Sequence, residues 1–455
     1  MTKRHQYDLV IVGAGSGNML PDRELSKWRV AVVESDRFGG TCLNRGCIPS
    51  KMLVHTANIA HTVSDAGRFG LPTQPPEADW PAIRDRIFGR IDPKHEEAVS
   101  YRREHGIDVF LGEARFVAPK VLLVGEAEVA ADRFVLAAGS RPFLPPIPGL
   151  EDVPYVTSDN VMRLEALPAS MIVIGGGYIS VEMSHVFGAL GTKVTIVEQG
   201  DSLLVQHDAD IRALFTRLYC ERFDVRLRAR VDRVAMARDG GVRVQLTSAD
   251  GPQSVEAEVL LVAIGRRPNS DRLGVDAAGL AVDSEGRIKI DDHYQTSVPG
   301  IWSFGDLSNH FDLKHMANAE VRVVRHNVLH PSDQRQLPFS VVPAAVFAEP
   351  EVASVGVTEN QLQQEGQPYV VATSPYRDAA FGWALEDTTS FVKILADPVT
   401  RLILGAHIIG PQASILIQPL LQAMCLGNTV EQLSLGVLYI HPALAEVVAQ
   451  ALLAL

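Results

Sequence analysis

Cysteine is scarce in this chain: Cys42, Cys47, Cys220 and Cys425 are the only four among 455 residues. So few over such a length exclude a secreted scaffold built on disulfides. A chain this long buries enough surface to fold without staples, so a close cysteine pair is free for chemistry. No apolar run reaches the ~20 residues that a membrane-spanning helix needs, and no membrane partner is expected. The basic start MTKRHQ leads only into DLVIV before a glycine turn, too short for the core of a signal peptide, so a cytoplasmic protein is expected. There is no block of like charge and no low-complexity tail. The net charge of −12 speaks against nucleic acid as a partner. Beyond the one pair, no cysteines or histidines stand at metal-ligand spacing, so no metal is expected.

Two segments share one design. Residues 7–34 run from an apolar β-type stretch through GAGSGN and a short helix-like stretch to RVAVVE. Residues 170–198 run from SMIVI through GGGYIS and a helix to TKVTIVE. Each reads as strand, glycine turn, helix and second strand ending in glutamate, a βαβ unit written twice. In such a turn the first glycine permits the tight bend and the second lets backbone approach a pyrophosphate. The helix N-terminus adds N–H groups and partial positive charge. Gly13 and Gly15 take these places in the first copy, with Asn18 at the third and Gly17 just before it. Gly175 and Gly177 take them in the second, with Ser180 at the third. Either string alone is weak evidence. Glu34 and Glu198, each about 20 residues beyond its turn, strengthen both, because a carboxylate at that strand end receives ribose hydroxyls. Two units imply two dinucleotides in one chain.

Other segments organise the rest. RFVLAAGSRPFLPPIPGL (133–150) and VLLVAIGRRPN (259–269) both end an apolar run in glycine followed by arginine and proline. GIWSFGD (300–306) reads as one more buried strand, and PTQPPEADWP (72–81) as a surface loop. After PSDQRQLPFS (331–340) the texture changes to alternating strands, FVKILAD and ILGAHIIG, and a helix-like QASILIQPLLQAMCLG. The expected division is 1–150, 151–270, a central segment 271–335 returning to the first unit, and a C-terminal α+β domain over 336–455.

Cys42 and Cys47 lie in GGTCLNRGCIPSK (39–51). Five residues of regular helix rise ~7.5 Å, beyond the ~4.4–6.8 Å Cα separation of a disulfide. A bonded pair therefore needs a break, and Asn44-Arg45-Gly46 can supply it. Pro49 then suits the first turn of a new helix, whose N-terminus favours thiolate. Half a zinc site or two buried free thiols are the alternatives; the position about eight residues past Glu34, beside the first dinucleotide, argues against both. Cys220 and Cys425 sit in helix-like apolar contexts and are expected to be structural. Near the C-terminus, HPALAE places Glu446 five residues from His441, where a carboxylate can hold the imidazole tautomer and raise its basicity.

GGTCLNRGCIPSK resembles the redox signature of the class I pyridine-nucleotide disulfide oxidoreductases, and the similarity runs over essentially the whole chain. The resemblance implies two Rossmann-like α/β domains, binding FAD first and NAD(P) second, with a C-terminal dimerisation domain. It implies Cys47 as the thiol against the flavin and Cys42 as the one that attacks substrate. Lys51 lies near the flavin with Glu182 as its partner, and Tyr178 gates the nicotinamide side. Asp306 takes the ribityl chain, while Thr41, Ala114, Gly139, Leu313 and Gly265 complete the cofactor contacts. HPALAE resembles the family's HPTxxE motif, with Ala443 in place of Thr. There His441 and Glu446 act across a homodimer, and His441 serves Cys42 of the other subunit.

Glu198 is followed by Gln199, Gly200 and Asp201, with no arginine to clamp a 2′-phosphate, so NADH is expected over NADPH. GAGSGNMLPDREL, KMLVHTANIA, DAAFGWALEDTTSFVKI and YIHPALAEVV are similar to the mycothione-reducing branch of the family. A small-molecule disulfide, mycothione, is the implied substrate. Dihydrolipoamide oxidation, or a glutathione-reductase-like reaction on another disulfide, is the alternative.

Overall fold

The computed structural model describes residues 3–238 and 240–455. The run KRHQYDLVIV forms the strand Lys3–Val12, which lies parallel between Val30–Glu34 and Ala127–Leu136; Asp108–Leu111 extends the far edge. Strands of a parallel sheet covered on both faces read as continuous β-branched runs, and Leu9, Val10, Ile11, Ala31 and Val32 are all fully buried. The first half of Ala127–Leu136 pairs on its other edge with Val121–Val124, antiparallel, and its second half with Ile301–Ser303, parallel. The buried strand read in GIWSFGD thus returns the chain to the first sheet after the second unit is complete.

The second unit is a four-stranded parallel sheet in the order Asp224–Arg226, Lys193–Val197, Ser170–Ile174, Val259–Val262. An antiparallel meander, Arg230–Met236, Val242–Ser248 and Gly251–Ala257, adjoins it. The twin Gly-Arg-Pro segments meet: Ser140–Pro142 pairs antiparallel with Arg266–Pro268, joining the ends of the two units. The C-terminal unit is a five-stranded antiparallel sheet in the order Ala344–Val346, Val352–Gly356, Ile403–Ile409, Phe391–Ala396, Val370–Pro375, with Ala445–Leu453 against it. Its central strands are buried on nearly every residue rather than alternately. Lys393 inside that run is 1% exposed. Its ammonium meets Asp208 and Asp210 of the second unit at 2.8 and 2.6 Å and Glu359 at 2.6 Å, so the buried charge is paired across the junction.

Two expectations need correction. The stretch after the first glycine turn is no α-helix but two 3-10 turns, Gly17–Met19 and Arg23–Leu25. Pro21 has no N–H to continue a helix. Arg102 holds the gap instead, its Nε donating to Asn18 Oδ1 at 2.8 Å and a second nitrogen bonding the Asn18 carbonyl. The surface loop ends two residues earlier than read: Trp80 is 1% exposed and opens the helix Trp80–Ile91, its indole donating to the Leu164 carbonyl at 2.7 Å.

Candidate active site

Both glycine turns are built alike. Gly13 has φ +102°, and a Cβ there would lie 2.2 Å from the Ala137 carbonyl oxygen. Gly175 has φ +114°, and its Cβ would lie 2.4 Å from the Ala263 carbonyl oxygen. Each turn crosses the end of a neighbouring strand too closely for any side chain, and the backbone conformation alone favours glycine. Gly15 faces Gly40, where an added Cβ would come within 2.6 Å of the Gly15 Cα. Glu34 accepts the Ala14 N–H at 2.7 Å and the Asp36 N–H at 3.0 Å, and burial pushes its carboxyl up. Glu198 leans on its own turn, an oxygen 2.7 Å from where a Gly176 Cβ would stand. Gly175→Ala is expected to weaken nicotinamide-nucleotide binding roughly tenfold or more while flavin content is retained. Nucleotide titration of the purified variant checks it, and unchanged affinity would refute the assignment of this turn.

The cysteines sit where the first unit leaves its sheet. Gly40–Arg45 is one short helix and Cys47–Asp65 the next; Gly46, at φ −134° and ψ −124°, breaks them. A Cβ at Gly46 would stand 2.9 Å from the Thr41 carbonyl oxygen and 3.2 Å from the Cys42 Cα, so glycine lets the second helix start directly against Cys42. Asn44, 3% exposed, ties the first helix down by donating to the Phe38 and Gly40 carbonyls at 3.0 and 2.9 Å. The two thiols hydrogen-bond to each other. That bond lowers Cys47 to about 7, against burial and with help from Lys51 and Lys314, and it raises Cys42. The sulfur at the helix N-terminus is the easier one to ionise, as the helix dipole favours.

Lys51 stands one turn beyond Cys47. Its ammonium meets both oxygens of Glu182, at 2.8 and 2.7 Å, and lies 4.6 Å over the Phe347 ring. Glu182, 3% exposed, also accepts the Phe347 N–H at 3.0 Å. One ion pair therefore joins all three units beside the cysteines.

A cavity of about 1860 Å³ runs past these groups, larger than the ~300–1,000 Å³ of a usual single-ligand site. It is lined by Gly13, Gly15, Glu34, Thr41, both cysteines, Ala114, Gly139, Asp306 and Leu313 on one side. Gly175, Gly177, Tyr178, Glu198 and Gly265 line the other. Asp306 accepts from Ser140 Oγ at 2.7 Å. The backbone approaches at the two turns, the carboxylates at both strand ends and this length together suit two dinucleotides laid toward each other. Gly17 is placed differently from its expectation. It stands behind the turn, where a Cβ would meet Ile11 Cγ2 at 3.0 Å and Ala137 Cβ at 3.2 Å; it serves packing, not the cavity wall.

Three further placements escaped the sequence reading. Lys314 donates to Ser16 Oγ at 2.8 Å from the start of the helix Lys314–Leu329. Arginines do approach the Glu198 strand end, since Arg228 reaches within 4.0 Å of Asp201 and Arg230 lines the cavity; they come from a later segment that no motif at 198–201 could signal. Cys220 and Cys425 are exposed rather than packed, and Cys425 borders the cavity.

His441 Nδ1 and Glu446 Oε1 lie 2.8 Å apart, and the imidazole holds the carboxyl below its usual range. Neither residue lines the cavity that contains the cysteines. His441 is 72% exposed, on a surface where Leu435, Leu438 and Ile440 are also exposed, Leu438 at 97%. Apolar side chains grouped in the open mark an interaction surface.

The architecture and the paired thiols beside twin glycine turns define an oxidoreductase handling two dinucleotides. Residues 7–321 match the family described as pyridine nucleotide-disulphide oxidoreductase, and residues 342–452 match its dimerisation domain. The chain belongs to this family, and it is accordingly a disulfide oxidoreductase enzyme using FAD and a pyridine nucleotide. It is 42% identical to a mycothione reductase of Mycobacterium tuberculosis over 99% of both chains. It is 31% identical to a glutathione reductase of Burkholderia cepacia, over 98% of each. The HOCl-induced flavoprotein disulfide reductase RclA from Escherichia coli superposes with a TM-score of 0.86 at 28% identity, covering 98% of this chain and 99% of that one. No helix among the described residues is long and apolar enough to cross a membrane.

Proposed function

We propose that this enzyme reduces mycothione with NADH, working as a homodimer whose active sites are shared between subunits. Two hydrogen-bonded cysteines opening a helix within a cavity bounded by both dinucleotide turns carry the disulfide chemistry. The full-length similarity to a mycothione reductase carries the substrate. The bound flavin supplies two-electron transfer from the nicotinamide to the disulfide.

The chain's residues do the rest. Gly13, Gly15, Glu34, Thr41, Ala114, Gly139, Asp306 and Leu313 hold the FAD. Gly175, Gly177, Glu198 and Gly265 hold the nicotinamide nucleotide, with Tyr178 as the gate between the two. Lys51, fixed by Glu182, would serve the FAD site. Cys42 attacks the substrate disulfide and forms a mixed disulfide, releasing the first thiol. Cys47 then attacks Cys42, releasing the second and restoring the pair. His441 of the partner subunit, held by Glu446, protonates the leaving thiolate. Its position outside the cavity of its own chain and the exposed apolar surface around it support this arrangement. A cytoplasmic setting, where thiols are kept reduced, agrees with a catalytic use of the pair.

The test is oxidation of NADH and NADPH against mycothione, glutathione disulfide, lipoamide and trypanothione disulfide. Turnover is expected with mycothione; turnover on lipoamide alone would instead make the enzyme a dihydrolipoamide dehydrogenase. NADH is expected to give the higher kcat/KM, because Glu198 accepts a ribose hydroxyl and repels a phosphate. Glu198→Ala is expected to narrow that preference, and a wild-type enzyme favouring NADPH sinks the assignment.

A further inference from the structure

The loop 199–208 leaves the Glu198 strand end and leads into the helix Ala209–Arg222. Gln199, Leu204, Val205, Gln206 and His207 line the cavity together with the second glycine turn. The loop is fastened at two places. Near its middle the Leu204 N–H donates to the Gly176 carbonyl, inside that turn, at 2.9 Å. Leu204 takes φ +53°, a conformation that a leucine keeps only where its surroundings impose it. At the end of the loop stands Asp208, fully buried. One of its oxygens accepts the Lys393 ammonium at 2.8 Å and the Asp210 N–H at 3.2 Å, and the other accepts the Glu359 N–H at 3.1 Å. Lys393 and Glu359 belong to the C-terminal unit.

We infer that Lys393 shapes the nicotinamide-nucleotide pocket from the C-terminal unit, by holding Asp208 and through it the loop 199–207. This rests on the second glycine turn being the nucleotide's site. Neither Lys393 nor Asp208 lines the cavity, so Lys393 is a positioning residue and not a catalytic one.

Stability alone does not account for the cluster. A buried cation among carboxylates adds little, since apolar residues of similar volume often serve as well. Val392 and Ile394, on either side of Lys393, are fully buried, and an apolar side chain would suit the same strand. What the ammonium supplies is geometry. It has three N–H donors, and three different carboxylates surround it, Asp208 at 2.8 Å and Asp210 and Glu359 each at 2.6 Å. Two of them come from the second unit and one from the C-terminal unit, so the position of Asp208 is fixed from both. Only Val205, Gln206 and His207 separate Asp208 from Leu204, and a shift at Asp208 is carried to the Gly176 contact. Without the ammonium, three carboxylates would face one buried point, and their repulsion would drive Asp208 and its loop away.

The experiment uses the FAD-loaded dimer, mixed with NADH and separately with NADPH in a stopped-flow instrument without any disulfide. The dependence of flavin reduction on nucleotide concentration gives Kd and a limiting rate independently. Lys393→Met is expected to raise Kd for the better nucleotide roughly tenfold or more. Its limiting rate should stay within about threefold of wild type, because the loop shapes the binding pocket and holds none of the reacting atoms. Asp208→Asn keeps the side-chain shape and the helix cap, and it is expected to raise Kd roughly threefold or more. Glu359→Gln takes a carboxylate from the same ammonium but leaves Asp208 held, and it is expected to bind as wild type. Should Lys393→Met fail to fold, the comparison of Asp208→Asn with Glu359→Gln decides alone.

A wild-type Kd in Asp208→Asn or in folded Lys393→Met overturns the inference, whatever the melting temperature, since the cluster would then only join two units. Equal weakening in Asp208→Asn and Glu359→Gln overturns it too, because charge and not the loop would then be responsible. The site reading fails separately: a Gly175→Ala enzyme that binds nucleotide as wild type does removes the second turn as the nucleotide's site. Weak binding in Gly175→Ala beside wild-type binding in Asp208→Asn removes only the role of Lys393.

Discussion

Cys42→Ser is expected to lower disulfide reduction by at least about 10³-fold while reduction of the bound flavin by NADH continues at close to the wild-type rate. The two halves of the reaction use different sulfurs. Cys42 is the thiol whose proton is held by the bond to Cys47, and only it is assigned to the substrate. Serine keeps the shape of the site and supplies no sulfur for exchange. Stopped-flow reduction of the flavin, beside steady-state reduction of mycothione, separates the two. Loss of both together, with flavin still bound, would contradict the division of labour between Cys42 and Cys47. The corresponding Cys47→Ser enzyme should form a stable mixed disulfide through Cys42, visible as a mass increase, because nothing resolves it.

The second expectation concerns the dimer. His441→Gln should lower disulfide reduction roughly 10²–10⁴-fold, the usual contribution of a positioned acid–base group. Glutamine keeps a polar side chain opposite Glu446 and carries no titrating nitrogen. If the working His441 belongs to the partner subunit, a Cys42→Ser chain and a His441→Gln chain repair each other. In a mixed dimer one site joins an intact Cys42 to an intact His441 and the other joins the two defects. Unfolding and refolding the inactive variants together at equal amounts should restore roughly a quarter of wild-type activity, since a two-fold dimer assorts at random. No recovery, with mixed dimers demonstrated by mass, would place His441 in its own chain's site. The 2.8 Å His441–Glu446 contact makes Glu446→Ala a milder version of the same defect.

Much of the site was legible in the sequence, and the reasons are local. Gly13 and Gly175 are required because the backbone takes a left-handed conformation against a strand end, a demand that shows in the glycine spacing itself. The break between Cys42 and Cys47 follows from helix rise against disulfide reach, and Gly46 meets it. Pairs close along the chain, such as His441 with Glu446, are likewise visible. The short first helix was less so. Pro21 marks an interruption, and the 3-10 turns that replace the helix depend on Arg102, more than 80 residues away.

Sequence alone determined the doubled dinucleotide unit, the cysteine pair with its helix start, and the family to which they belong. Each rests on backbone conformations and spacings that one short segment enforces by itself. Tertiary structure decided which charges reach the pair. Lys51 is paired with Glu182, 131 residues along the chain, and Lys314 comes to Ser16 across 298 residues. It also carried Arg228 to the Glu198 loop and left His441 outside the cavity of its own chain. Electrostatic interaction depends on distance through space and on what else lies nearby, and neither quantity is written in a motif.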